Sequence, residues 1–430
     1  MFIVKKMNFI KKIKSSELIK IISFNSLSVI LKMGVGIITS KVIAIFVGPI
    51  GLALVGNFRN FVGTFEAIST LGFPNGIVKY VAETKEEETE LKKYVSTGFI
   101  AVFLVSVVLS GLLFFMSDYW NELVFGSDHA FSFVFKTFSF ALPWYALSLI
   151  LVAIINGLGK FNNVIFITII GNFIGLLVSI LFIYNYQTSG ALLSIIITPS
   201  LLFLVSFYYI NKELPLLHFI RFSYFDFKII KNLTHYFIMA IVSGIFSSVV
   251  FLAIRKNIIA TIGIKEAGYW EAITRISSNY LLFVSTILTL YFLPKLVIAK
   301  NNIETKKVFW SYYKSIFPFF IIGVIILYYS RFLIVKILFT DEFLPVTTIF
   351  FWQLFGDLLK MASWILAYQF FAKKMTLAFI ISDLLSLVLM YFFSNYFVSL
   401  FGVVGVVMAH AITYCVYLVV LGVYFRKSLF

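Results

Sequence analysis

From residue 21 to residue 425 the chain is a succession of apolar runs, most of them about twenty residues long, parted by breaks of a few residues. A helix needs roughly 20 apolar residues to cross the hydrocarbon of a bilayer. The runs lie near 21–47, 51–75, 94–117, 131–157, 164–185, 190–210, 233–260, 267–293, 307–330, 346–372, 376–394 and 402–425, and Gly, Pro, Asn or charge marks each break, as at Gly48-Pro49 and Lys373-Lys374. Apolar residues make up 61% of the chain and charged ones 13%. A soluble chain carries about 45–50% and about 25%, so the bilayer has to act as solvent here. The runs use up nearly the whole length and leave no room for a separate soluble domain.

The expected organisation is a cytoplasmic basic tail at 1–20, a six-helix bundle at 21–211, a cytoplasmic linker at 212–232, a second six-helix bundle at 233–425 and a short tail at 426–430. The first run is too long for a signal-peptide core and lacks a small-residue cleavage site, so it reads as a retained helix. The lone cysteine, Cys415, excludes an internal disulfide.

The net charge is +16. Its distribution points to the bilayer rather than to nucleic acid. Lys and Arg concentrate in alternate connections, about 23 on one side against five on the other, the five being Arg255, Lys256, Lys265, Arg331 and Lys336. The excess orients both termini to the cytoplasm. An internal repeat supports two similar halves. Gly51-Leu52 opens the second run and Leu71-Gly72-Phe73-Pro74 ends it, while Gly268-Tyr269 opens the eighth and Leu293-Pro294 ends it. Parallel repeats with a site at their interface are a known transporter design. The fold class expected is therefore an all-α polytopic membrane protein of about twelve transmembrane helices, in two pseudo-symmetric bundles around a central cavity.

Charges inside spans face a cavity or a partner. Seven basic residues fall inside the runs, Lys32, Lys41, Arg59, Lys136, Arg275, Lys314 and Lys360, against four acids, Glu66, Glu271, Asp357 and Asp383. A positive interior suits an anionic ligand, because guanidinium and ammonium groups replace water around phosphate or carboxylate oxygens. Glu271 and Arg275 are four apart, Asp357 and Lys360 three apart, so each couple can neutralise itself. Arg59 and Glu66 are too far apart to touch, which leaves Arg59 as a free cation. Lys32 and Lys41 point to opposite sides of the first helix, and the deeper Lys32 is preferred for the cavity. Lys41 and Lys314 can instead snorkel to an interface. Asp383 has no basic residue one turn away; it is either poised for proton coupling or hydrogen-bonded to Ser382, Ser386 or a neighbouring helix. His235 and His410 read as hydrogen-bonded packing. Gly171 and Gly175 form a GxxxG pattern that marks close helix packing.

No P-loop, HExxH, GxSxG or Asp-rich metal motif is present, so neither an enzyme nor a cofactor is expected. Transport would have to be driven by an ion gradient or by consumption of the product.

Three stretches carry a resemblance to a known family: Phe46-Val47-Gly48-Pro49-Ile50-Gly51-Leu52 with Gly56-Asn57-Phe58-Arg59 and Asn75-Gly76-Ile77-Val78-Lys79-Tyr80-Val81-Ala82; Trp352-Gln353-Leu354-Phe355-Gly356-Asp357-Leu358-Leu359-Lys360; and Leu293-Pro294. In these the chain resembles the Wzx-type flippases of O-antigen and enterobacterial common antigen, a polysaccharide branch of the multidrug/oligosaccharidyl-lipid/polysaccharide exporter (MOP) superfamily. The resemblance implies two bundles around a V-shaped cavity that opens alternately to each side of a bacterial inner membrane. The implied substrate is an undecaprenyl-pyrophosphate-linked oligosaccharide, with a polymerase and a chain-length regulator as possible partners beside membrane lipids. It places similar charges at Lys32, Arg59, Lys79, Arg255, Lys314, Asp357 and Lys360 and a glutamate at Asp383, and leaves Arg275 and Glu66 without counterparts. The site it implies is a cationic cavity of Lys32, Arg59, Arg255, Lys314 and Lys360, with ion coupling or ion pairing at Asp357, Asp383, Glu271, Arg275 and Glu66. A multidrug exporter of the same superfamily is the rival reading. A membrane polymerase or ligase would need a larger outer loop, and a scaffold would not explain the buried cations.

Overall fold

The structure is a computed structural model that describes residues 17–126 and 131–429, with side chains from residue 30 onward except 235–243 and 290. Most of the basic tail expected at 1–20, the tip of the outer segment at 127–130 and the side chain of His235 lie outside the described residues.

Among the described residues there is no strand. The helices are α1 (Glu17–Phe46), α2 (Gly48–Ser69), α3 (Phe73–Thr84), α4 (Glu88–Phe115), α5 (Ser117–Phe125), α6 (Ser132–Gly157) and α7 (Phe161–Glu213). There follow α8 (Phe227–Ala240), α9 (Ser247–Ile262), α10 (Ile264–Ile287), α11 (Leu293–Ile298), α12 (Asn302–Ser315), α13 (Phe317–Tyr329), α14 (Arg331–Leu338), α15 (Val346–Ala372), α16 (Thr376–Phe401) and α17 (Val403–Tyr424). In a bilayer every backbone polar group must be satisfied within the chain, and helices do that residue by residue.

Eight stretches of at least 18 helical residues are apolar enough to cross a membrane by themselves. Three long helices, α1, α2 and α10, are not among them. Of these, α2 and α10 carry Asn57, Arg59, Asn60, Glu271 and Arg275 in mid-helix, and both are packed deep inside the molecule. Their polar residues have protein or cavity, not lipid, as neighbours.

The repeated Gly and Pro positions mark interruptions in the helices. Leu71 and Gly72 take left-handed conformations between α2 and α3, and Pro74 stands in the first turn of α3. A π-helical stretch at Leu288–Phe292 separates α10 from α11, and Pro294 stands in the first turn of α11. At the start of the helices, a Cβ on Gly268 would lie 2.0 Å from the Pro49 carbonyl oxygen, so α10 meets the start of α2 backbone to backbone.

The 53 residues of α7 would make a straight rod of about 80 Å, far longer than a bilayer is thick. The helix reverses at Gln187 (φ 48°, ψ −120°) into two antiparallel limbs. Gly171 on the first limb packs on Leu202 of the second, and Gly175 on Thr198. The GxxxG pattern thus serves packing within one hairpin.

Two apolar clusters hold the helices together. One gathers α3, α4, α6 and α8 around Ile77, Val95, Leu151 and Leu233. The other runs through α2, α6, α9, α10, α15 and α17 around Phe58, Phe138, Ile254, Ile273 and Ile365, and so joins the N-terminal to the C-terminal helices.

Candidate functional site

The apolar continuity of that second cluster is broken by a cavity of about 630 Å³ lined from α1, α2, α7, α9 and α10. Four cations stand on its wall: Lys32 from α1, Arg59 from α2, Arg255 from α9 and Arg275 from α10. The one acid among the lining residues is Glu271. Arg255 Nη2 donates to Glu271 Oε2 at 2.7 Å and Arg275 Nε to Glu271 Oε1 at 3.0 Å, so one carboxylate is shared by two guanidinium groups. Arg255 also reaches back to α2, where its Nη1 donates to Asn57 Oδ1 at 3.4 Å, and it lies 5.1 Å from the Trp270 ring centroid. Gly56 makes this approach possible, since a Cβ there would stand 2.5 Å from Glu271 Oε2.

Arg59 has no ion pair among the described residues, and its side chain is open to the cavity. Several buried hydrogen-bonding atoms of the wall also lack a partner: Arg255 Nε, Arg275 Nη2, Asn60 Nδ2, Asn172 Nδ2 and Thr198 Oγ1. Four of these five are donors only. The wall therefore offers positive charge and N–H groups in excess of what the protein itself accepts.

A second, smaller cavity of about 80 Å³ lies on the far side of α10, among α9, α10, α15, α16 and α17, and shares Phe251, Thr274 and Ser278 with the first. Its centre is Asp357, fully buried. The carboxylate accepts from Ser277 Oγ at 2.6 Å, Gln353 Nε2 at 3.2 Å and the Tyr280 hydroxyl, and it pairs with His410 Nε2 at 3.0 Å. Lys360 does not close an ion pair with Asp357. Its ammonium lies 5.0 Å from the Tyr414 ring centroid and 5.5 Å from that of Trp364. Past Tyr414 an adjoining cavity of about 120 Å³ contains Asp383. Ser386 donates to the main-chain oxygen of Asp383, and Ser382 to that of Phe379, so neither hydroxyl meets the carboxylate.

Several expectations need correction. Arg255 is not an outer-loop charge: it is 2% exposed within α9, which leaves four basic residues in the sparse set of connections. The guanidinium is held inside by Glu271, a partner on another helix. Asp357 and Lys360 make no direct ion pair, because other donors fill the carboxylate. His410 is buried and hydrogen-bonded as expected, with the Asp357 carboxylate as its partner. Lys314 is absent from both cavities; it is exposed over the Trp310 ring at 5.5 Å. Glu66 faces α6, where it accepts from the Tyr145 hydroxyl. Lys41 donates from α1 to the Lys336 carbonyl at 2.9 Å and to the Phe339 carbonyl, at the end of α14. Asn57, Asn60, Asn172 and Thr198 escaped the sequence reading, since nothing local separates a cavity amide or hydroxyl from one that binds its own helix.

A model of the polysaccharide biosynthesis protein family matches residues 18–298. The chain is 25% identical over 396 residues to the lipid III flippase of Escherichia coli (strain K12), covering 91% of this chain and 94% of that protein, and equally to the lipid III flippase of Shigella flexneri. Among solved structures it is similar to an inward-facing multidrug resistance MATE family transporter of the MOP superfamily (TM-score 0.76, 14% identity, 96% and 98% of the two chains). It is also similar to the lipid II flippase MurJ in an inward closed conformation (TM-score 0.66, 16% identity, 95% and 87% of the two chains).

Proposed function

The chain belongs to the polysaccharide biosynthesis protein family, and from that premise we propose that it is a flippase for an undecaprenyl-pyrophosphate-linked oligosaccharide in a bacterial inner membrane. The observation that carries the reading is the composition of the larger cavity, four cations against one acid, enclosed by N-terminal and C-terminal helices. A pyrophosphate brings about two negative charges, and moving it through bare hydrocarbon would cost many kcal/mol. A wall of guanidinium and ammonium groups replaces its water while the polyprenyl tail stays in lipid. Lys32 and Arg59 are the open cations. Arg255 and Arg275 hold one carboxylate between them and keep N–H groups free for oxyanions. Binding spread over several such groups lets the substrate go again on the other side.

Alternating access is the motion this reading requires. The contacts of Lys41 with α14 and of Gly268 with Pro49 close one end of the cavity, the end that the distribution of basic residues assigns to the outer side. Asp357 and Asp383 are the groups through which an ion could be coupled. The walls of the cavity favour this function over export of organic cations, which four fixed positive charges would repel.

The test is reconstitution in liposomes with a fluorescent lipid-linked oligosaccharide, following its access to a membrane-impermeant quencher. The expected result is accelerated transbilayer movement, abolished in a Lys32→Ala, Arg59→Ala double variant. Folded protein that gives no acceleration over protein-free vesicles would overturn the reading.

A further inference from the structure

The larger cavity is divided by chemistry. All its charge comes from α1, α2, α9 and α10, whereas every residue that α7 contributes is neutral, small or both, with Asn172, Ser179, Ser194 and Thr198 as the polar members. We propose that the hairpin of α7 forms a separate subsite for an uncharged polyhydroxylated group, the sugar portion of the cargo, with Asn172 and Thr198 as specificity-determining residues. The proposal rests on the flippase reading and adds to it where the glycan sits.

The first argument is hydrogen-bond accounting. Ser and Thr in helices commonly turn their hydroxyl back onto a carbonyl three or four residues earlier. Ser194 does so, donating to Ala191 at 2.8 Å, and so does Ser200, donating to Ile196 at 2.7 Å. Thr198, between them on the same limb, does not; its hydroxyl has no partner, and neither does the Asn172 amide nitrogen on the facing limb. Unsatisfied polar groups at membrane depth are expensive. Both residues are half-buried and line the cavity wall.

The second argument is chemical type. An amide and a hydroxyl can each donate and accept, as sugar hydroxyls and acetamido groups do. An oxyanion only accepts and would leave half of that capacity unused. The third is geometry. Gly175 leaves Thr198 its place, since a Cβ there would stand 2.8 Å from Thr198 Cγ2, and Asn172 and Thr198, on facing limbs of one hairpin, line the same cavity. The cavity volume of about 630 Å³ is in the range of sites that enclose a whole drug-sized ligand, roughly 300–1,000 Å³, and so has room for more than a diphosphate.

The experiment compares two probes on the full chain in nanodiscs: undecaprenyl pyrophosphate, and undecaprenyl pyrophosphate bearing an N-acetylglucosamine-containing oligosaccharide. Asn172→Ala and Thr198→Val should each weaken the glycosylated probe about three- to ten-fold and leave the bare lipid pyrophosphate unchanged. Thr198→Ser, which keeps the hydroxyl, should bind both as wild type does. Arg59→Ala should weaken both probes alike. Equal weakening of both probes by the α7 variants, or no weakening of either while Arg59→Ala weakens both, would overturn the subsite. A loss in Thr198→Ser equal to that in Thr198→Val would show a packing role and overturn it as well. Failure of the wild-type chain to bind either probe would instead remove the flippase reading.

Discussion

The two polar sites on either side of α10 bury charge in opposite ways. In the larger cavity one carboxylate, Glu271, faces four cations, and Arg255 and Arg275 keep unpaired N–H groups. In the C-terminal network one carboxylate, Asp357, is met by three donors and a histidine. A fully satisfied buried network fixes positions, whereas one left in excess is held for something that arrives. The same helix serves both, turning Glu271 and Arg275 to one side and Ser277 and Tyr280 to the other. α10 is thus the element that the two sites have in common.

The sharpest way to break the comparison is Glu271→Gln. Removing one partner of a buried ion pair costs about 3–5 kcal/mol, because the remaining charges stay uncompensated. Here two guanidinium groups lose the one acid they pair with among the described residues. The midpoint of thermal unfolding in detergent should fall by several degrees, and inorganic pyrophosphate should restore much of the loss by standing in for the carboxylate. A midpoint that does not respond to pyrophosphate would show that the cavity does not attract anions.

Arg59→Ala should act on binding and not on stability. The side chain has no carboxylate partner among the described residues, so its removal leaves nothing unpaired. A charge-assisted hydrogen bond to a ligand is worth about 1.5–3 kcal/mol, which is about ten- to a hundred-fold in affinity. Titration with undecaprenyl pyrophosphate checks the affinity and a melting curve the stability. A large drop in the midpoint with unchanged affinity would reverse the roles assigned to the two regions.

Asp357→Asn reads the other side of the comparison. The amide keeps an oxygen for Ser277, Tyr280 or Gln353 but sets its own N–H groups against donors. A loss of about 1–3 kcal/mol in stability is expected, with no rescue by pyrophosphate, and transport slows more than substrate affinity falls. Rescue by pyrophosphate as complete as in Glu271→Gln would mean that both sites belong to one anion field.

Much of the architecture was legible because its causes are local. Twenty-residue apolar runs, Gly48-Pro49 and Leu71-Gly72-Phe73-Pro74 act through the residues themselves. The isolation of Arg59 could be read from its distance to Glu66 along one helix. What was not legible depends on contacts between helices. Glu271 meets Arg255 across 16 residues, and Asp357 meets His410 across 53. Helical spacing allows Asp357 and Lys360 to touch, and only the neighbours show that His410 takes the carboxylate while Tyr414 and Trp364 take the ammonium. Lys314 and Lys360 look alike in sequence, each on an apolar helix. One is open beside Trp310 and the other lines a cavity, a difference set by which helix lies opposite.

The smallest effect tests the edge of the cationic region. Lys41 is a cation on the same helix as Lys32, yet it is occupied: its ammonium caps the last carbonyls of α14 and so ties α1 to the C-terminal helices. Substitution of Lys41 by Met keeps the apolar stem and removes the charge. Opening at that end should become easier by about 1 kcal/mol, near a five-fold change in the open fraction. A cysteine placed at Phe339, in a chain whose own exposed Cys415 has been changed to serine, would report it through a faster reaction with a membrane-impermeant maleimide. Affinity for undecaprenyl pyrophosphate should stay within two-fold of wild type, because Lys41 already has its acceptors. Were affinity to fall as far as in Arg59→Ala, a cation already engaged would count as much as a free one, and unpaired charge would no longer be what marks the binding wall.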